Sequence, residues 1–264
     1  MAILASKAQG LFDSITDKIL SGSKFSEFEF ARLCAEAKKL DSYAKKHEVL
    51  GWGHSIQGNS EQALKCYQKA LKSSHADFYT KANFYSLLKH ECCYLKAIEV
   101  GNELILQSNL PSFLNDVFLE QIIHLNFDSA KEIYNRLEKM NAFDESDVAK
   151  DAKAEMDLVH SMIEANLAID KESLKLVGKI ALEVASELNC RVVGNRISQL
   201  KELEHLSVQY AISEKLYSSE FVYDLNIRFI ERLVEDGLDD LSLVVQFIRV
   251  YSERDICINR LRTN

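Results

Sequence analysis

The sequence predicts an all-α chain built from consecutive helical hairpins, and three observations carry that prediction. Of 264 residues, one is proline and nine are glycine, which leaves few residues for the turns that many short strands would need. Apolar residues recur at three- and four-residue spacing through most of the chain, the period of an amphipathic helix. A small residue returns as Ala31, Ala63, Ala97 and Ala130, at intervals of 32, 34 and 33 residues, and a period of that size marks repeated helical units.

Residues 1–43 are expected to form either a degenerate first repeat or capping helices, which helical arrays need at their ends. Ile3 to Leu20 reads as a helix without further signature. Phe25, Phe28, Phe30, Leu33 and Ala37 outline an amphipathic helix after it. The segment from Ala44 to Asp77 is the most explicit. It carries Leu50-Gly51, His54, Gly58, Ala63, Tyr67 and Ala70. Gly51 and Ala63 lack bulk, so two helices can approach closely there. Gly58 can take the left-handed conformation that ends a helix, and Asn59 with Gln62 three residues later predicts an N-cap in a capping-box arrangement.

The next hairpin is read from Phe78 to His90 and then around Ala97, with Gly101 and Leu104 inward. The third places Pro111 at the start of its first helix, where a missing N–H costs nothing, and Tyr134 and Leu137 in the helix of Ala130. The Leu-Gly pair is replaced by Phe84-Tyr85 and Val117-Phe118, and the turn glycine by Cys92 and Leu125, which predicts a looser helix approach at those hairpins. Residues 44–140 are thus the repeat region. Residues 141–264 are expected to be divergent helices at 143–168, 172–189, 194–212, 218–235 and 238–261, separated by Asp170, Asn189 and Gly237. The first of these has Asp144 near its cap and Val148, Ala152, Met156, Val159 and Ile163 inward. These helices either continue the array or close into a bundle.

The spacing and residue types of 44–77 resemble the tetratricopeptide repeat closely, and 78–140 resembles it more weakly. The resemblance implies a right-handed superhelical α-solenoid whose first helices line a concave groove that holds an extended peptide or a helix of a partner protein. The groove positions it implies are Lys45, Glu48, Trp52 and Ser55, then Tyr79, Ala82, Asn83 and Ser86, then Ser112, Asn115, Asp116 and Leu119. Trp52, the single tryptophan, is the expected aromatic anchor. Members that clamp a terminal carboxylate use lysines, an arginine and two asparagines. Here only Asn83 fits, and Glu48 and Asp116 would repel a carboxylate.

No glycine-rich phosphate loop, His-Glu-x-x-His or Gly-x-Ser-x-Gly occurs, so neither catalysis nor a cofactor is expected. Of seven scattered histidines, His47 and His54 fall on core positions. Cys34, Cys66, Cys190 and Cys257 read as small buried hydrophobes. The run His90-Glu91-Cys92-Cys93 lacks a Pro-Cys-x-x-Cys partner, and adjacent cysteines on a helix point about 100° apart, so no metal site is expected. A net charge of −8, from 32 basic and 40 acidic residues, argues against direct nucleic-acid binding. Arg249, Arg254, Arg260 and Arg262 read as cations of a solvated terminal helix. No apolar window approaches a membrane span and no leader is evident, so a cytoplasmic protein is expected. These features predict a non-enzymatic adaptor or regulator that binds a protein or peptide, with a possible homodimer through its C-terminal helices. The alternative is a peptide-sensing regulator acting in trans on a DNA-binding or effector protein.

Overall fold

A computed structural model of the chain describes residues 2–165, 170–200, 205–238 and 243–250, with side chains from residue 8 onward. The described residues form eleven helices and three strands, and they divide into two compact units, Met1–Cys93 and Tyr94–Asn264. None of these helices is long and apolar enough to cross a membrane.

The first unit holds α1 (Ala2–Ser21), α2 (Glu27–Ala37), α3 (Tyr43–Ile56), α4 (Ser60–Leu71) and α5 (Phe78–His90). Each boundary has a local cause. Ser26 caps α2 in a full capping box, its hydroxyl receiving the Glu29 amide while Glu29 receives the Ser26 amide at 2.7 Å. Gly58 turns at φ +80°, and the Asn59 side chain then accepts the Gln62 amide to open α4. Asp77 does the same for α5 through the Thr80 amide. At the centre of the α3–α4 hairpin a Cβ on Gly51 would stand 2.4 Å from the Tyr67 ring and 3.3 Å from the Ala63 carbonyl. Tyr67, Ala63 and Ala70 are fully buried, so this is the close helix approach that the small residues foretell.

The second unit begins with α6 (Tyr94–Ile105), α7 (Pro111–Ile123), α8 (Phe127–Lys139), α9 (Asp147–Glu164) and α10 (Lys171–Glu187). Pro111 occupies the first turn of α7. Ser146 caps α9 through the Ala149 amide, and Asp144, two residues before it, accepts the Ser146 amide and hydroxyl. Asp170 caps α10. Asn189 and Gly237 follow their helices at positive φ, as punctuation residues should. The turn positions that lost their glycine keep its backbone: Cys92 and Leu125 sit at φ 55° and 53°, an uncommon conformation for residues with a Cβ.

The remainder corrects the expectation of a wholly helical chain. The windows 194–212 and 238–261 were expected as helices. Instead they contribute β1 (Val192–Leu200), β2 (His205–Ser213) and β3 (Leu243–Val250), with α11 (Ser219–Glu235) between the last two. Residues 251–261 of that last helix, with Arg254, Arg260 and Cys257, lie outside the described residues, as does Arg262. The sheet order is β1-β2-β3, with β1 antiparallel and β3 parallel to β2. These segments are rich in Val and Ile, whose branched side chains lose freedom in a helix and pack well on a pleated surface. The described residues are therefore mostly helical, with a small three-stranded sheet.

Polar side chains tie that sheet to the helices of its unit, Tyr94 and Asn195 among them. The Tyr94 hydroxyl donates to the Cys190 carbonyl at 3.1 Å and receives the Val192 amide at 2.8 Å. Asn195 donates to the Ile122 carbonyl at 2.9 Å. Gly178 of α10 lies against backbone, where a Cβ would come within 2.3 Å of the His124 carbonyl.

Candidate functional site

The first helices of the first unit, α3 and α5, carry most of the expected groove positions, and the structure sorts them into engaged and open residues. Glu48 is fully buried, against the expectation of a groove-lining acid. Its carboxylate receives the Thr80 hydroxyl at 2.7 Å, the Asn83 amide at 2.9 Å and the Lys45 ammonium at 3.0 Å. A carboxylate with that many donors is satisfied, which is the condition for burying a charge. Burial would raise the neighbouring Asp77 carboxyl, but the amide and hydroxyl of Thr80 hold it below its ordinary value. Lys45 and Asn83, half-buried, thus spend their polar groups on Glu48.

A second cluster lies where α3 ends. Ser55 is buried, and its hydroxyl contacts His90 Nδ1 at 2.9 Å and donates to the Glu91 carboxylate. Glu91 also approaches His90 Nδ1 at 3.6 Å. Burial pushes the Glu91 carboxyl up, yet hydrogen bonds from His90, Ser55 and Ser60 prevail and keep it below its usual value. Serine and carboxylate meet the same imidazole nitrogen, whereas a nucleophilic relay needs them on opposite nitrogens. The arrangement closes α3 against α5.

Trp52 is the clearest correction. It is 9% exposed, and its indole packs edge-on against His90 with ring centroids 5.6 Å apart. The residue after Gly51 turns inward and does not line an open groove. Of the expected positions on α3 and α5, those left open are Tyr79, 59% exposed, and Ser86, with Ala82 half-buried.

The remaining expected positions belong to α7 in the second unit. Asn115 donates to the carbonyls of Pro111 and Ala142, both at 3.0 Å, and accepts the Asp144 amide at 3.0 Å. It fastens the loop that precedes α9. Asp116 and Leu119 are half-buried and Ser112 is exposed.

Sequence reasoning missed a pocket in this unit of about 660 Å³ between α6, the α7–α8 turn and α10, lined by Leu95, Ile98, Leu176, Asn102, His124, Asn126 and Lys179 among others. Beneath it Gln121 donates to Asn102 at 2.7 Å and accepts from Asn126 at 2.9 Å. Its volume lies in the range of small-ligand sites. Only the polar residues Asn102, Gln121, His124 and Asn126, which recur where α6 and the α7–α8 turn meet, could have signalled it.

Among the described residues no group of His, Cys, Asp or Glu could hold a metal ion, and Cys34, Cys66, Cys92, Cys93 and Cys190 are free thiols. Cys66 and Cys190 are buried, as small hydrophobes should be, while Cys34 is half-buried. Comparison with family models, curated proteins and solved structures returns no match for this chain.

Proposed function

We propose that the protein is a non-enzymatic adaptor or regulator, whose helical hairpins over 44–140 are of the tetratricopeptide type and whose first helices hold a peptide or helix of a partner protein. The carrying observation is a repeated backbone signature. Ala63, Ala97 and Ala130 are each fully buried, and each follows by five residues a left-handed turn residue, Gly58, Cys92 and Leu125. A sequence that accepts positive φ at cysteine and leucine is preserving one turn geometry in three places, which supports a repeated unit. Arrays of such hairpins expose extended faces suited to other chains.

The polar chemistry of α3 and α5 supports the same reading. Glu48 is engaged by Lys45, Thr80 and Asn83, and Ser55 by His90 and Glu91, a structural use of groups that catalysis would need free. The exposed Tyr79 offers the rigid, amphipathic surface that binding faces favour.

The test is affinity purification of the full chain, washed at high salt, followed by mass spectrometry. A protein partner retained in stoichiometric amount is the expected result. A co-purified short peptide, with no protein, would support the peptide-sensing alternative. Conversion of a small-molecule substrate by the purified chain would overturn both.

A further inference from the structure

The helix α11 presents two apolar faces, and among the described residues one of them is packed and the other exposed. Val222, Leu225 and Phe229 are buried, with the Phe229 ring edge-on to Phe247 of β3 at 5.6 Å. The opposite face carries Tyr223, Ile227, Ile230 and Val234 at 66%, 40%, 50% and 54% exposure. Their spacing is i, i+4, i+7, i+11, which stacks them in one stripe along the helix. The flanks of the stripe are fixed. On one side Asn226 donates to the Phe247 carbonyl at 3.0 Å and accepts its amide at 2.8 Å. On the other, Arg232 reaches Glu183 and Glu187 of α10, both at 3.1 Å. The stripe therefore faces away from both neighbours, and a contiguous exposed apolar strip of this kind marks an interaction site.

At about 100° per residue, Glu220, Asp224, Glu231 and Glu235 run beside the stripe on its α10 side as an acidic ridge. Arg228 lies between Glu187 at 3.9 Å and Glu231 at 3.7 Å, and Arg232 reaches Glu235 at 3.9 Å as well as α10, so four ridge carboxylates stand beside two arginines that α10 carboxylates share. This charge pattern selects the occupant. If a second copy paired stripe to stripe in antiparallel fashion, Glu220 would oppose Glu235 and Asp224 would oppose Glu231, which is repulsive. A parallel pairing would set the ridge against Ser219 and Asn226, which carry no charge. An amphipathic helix with basic residues flanking its apolar anchors satisfies both stripe and ridge.

We infer that the outer face of α11, an apolar stripe of Tyr223, Ile227, Ile230 and Val234 with its acidic ridge, docks a basic amphipathic helix of a partner protein. The site is separate from the first-helix face proposed above and stands or falls without it.

The test uses the full chain and two labelled helix-forming peptides of about 17 residues, the length of α11, sharing one leucine stripe. One carries lysines on its flanks and the other carries glutamates. Fluorescence anisotropy is expected to show the lysine peptide binding the wild type with an affinity that falls as salt rises, and the glutamate peptide failing to bind. The double variant Ile227→Ser/Ile230→Ser should weaken the lysine peptide by about tenfold or more. Asp224→Lys/Glu231→Lys, which leaves the stripe intact, should do likewise. All four positions are exposed, so thermal melts should match the wild type, and if one variant misfolds the other decides. Equal binding of both peptides, or unchanged binding in a folded variant, would overturn the inference. So would a wild-type dimer in sedimentation equilibrium that Ile227→Ser/Ile230→Ser dissolves, because a second copy would then occupy the face.

Discussion

The Glu48 carboxylate and the Thr80 hydroxyl, 32 residues apart in sequence, meet at 2.7 Å in the interior between α3 and α5. Both residues are fully buried, so removing the carboxylate leaves the Thr80 hydroxyl only the longer contact to Asp77 at 3.1 Å and strips the half-buried Asn83 amide of its acceptor. Glu48→Ala is expected to cost about 1–3 kcal/mol in urea denaturation. Glu48→Gln, which keeps the shape and an acceptor, should cost less. Equal stability of Glu48→Ala and the wild type would show that the network contributes nothing.

Three glycines predict a graded series. Gly178→Ala drives a methyl into the His124 carbonyl, which is backbone and cannot turn aside. Gly51→Ala meets the Tyr67 ring at 2.4 and 2.8 Å, and that ring is fully buried. Gly53→Ala meets the end of the Leu33 side chain at 2.7 Å, which can rotate. The losses should fall in the order Gly178, Gly51, Gly53, the first two reaching about 1–3 kcal/mol or more, the usual cost of overpacking. Thermal melts of the three variants read that order directly.

The single tryptophan reports its own environment. With Trp52 buried against His90, its fluorescence should be blue-shifted and poorly quenched by iodide or acrylamide. Trp52→Ala should cost about 3–5 kcal/mol. Long-wavelength, freely quenched emission would instead return the indole to the surface.

Acid should weaken the fold from near neutrality downward. Burial depresses the basicity of His47, aided by Lys69 and Lys46, and burial also depresses that of His54. The unfolded chain therefore takes up these protons near pH 6.5 while the folded chain resists. Their contribution is complete above that pH and is lost as pH falls through the lower folded values. Glu91, held below its unfolded value near 4.5, contributes above that pH and is lost as pH falls further. Urea midpoints should be flat above pH 7 and decline below about 6.5, and His47→Gln/His54→Gln should flatten the part of the decline nearest neutrality.

The hairpins were legible because their causes are local. Small residues, caps and left-handed turns sit within a few positions of one another, so Gly51, Gly58, Asn59 and Pro111 could each be placed from sequence. Cys92 and Leu125 were identified as turn positions although their side chains disfavour the turn. The sheet was legible in principle and was obscured by the helical tone of the chain. Val192, Val193 and Ile197 in β1, Val208 and Ile212 in β2, and Val244, Val245, Ile248 and Val250 in β3 supply the β-branched signal, but β2 is buried nearly throughout, which erases the alternation that separates a strand from a buried helix.

The candidate site was less legible, for a physical reason. Whether Glu48, Ser55 and Trp52 face a groove or the interior depends on the partners that α5 delivers, namely Thr80, Asn83, His90 and Glu91. Spacing within α3 alone does not contain that information. The second apolar face of α11 was countable in Tyr223, Ile227, Ile230 and Val234, and it passed unmarked because the helix already had a face to bury.

The partner-binding face proposed for the first helices is most directly reached at Tyr79 and Ser86. The partner recovered by affinity purification should be titrated by calorimetry against the wild type and against Tyr79→Ala/Ser86→Arg. Both positions are exposed, so the variant should melt like the wild type. Affinity should fall by about tenfold or more, the loss expected when an aromatic anchor is removed and bulk is added beside it. Unchanged affinity in a folded variant would contradict it.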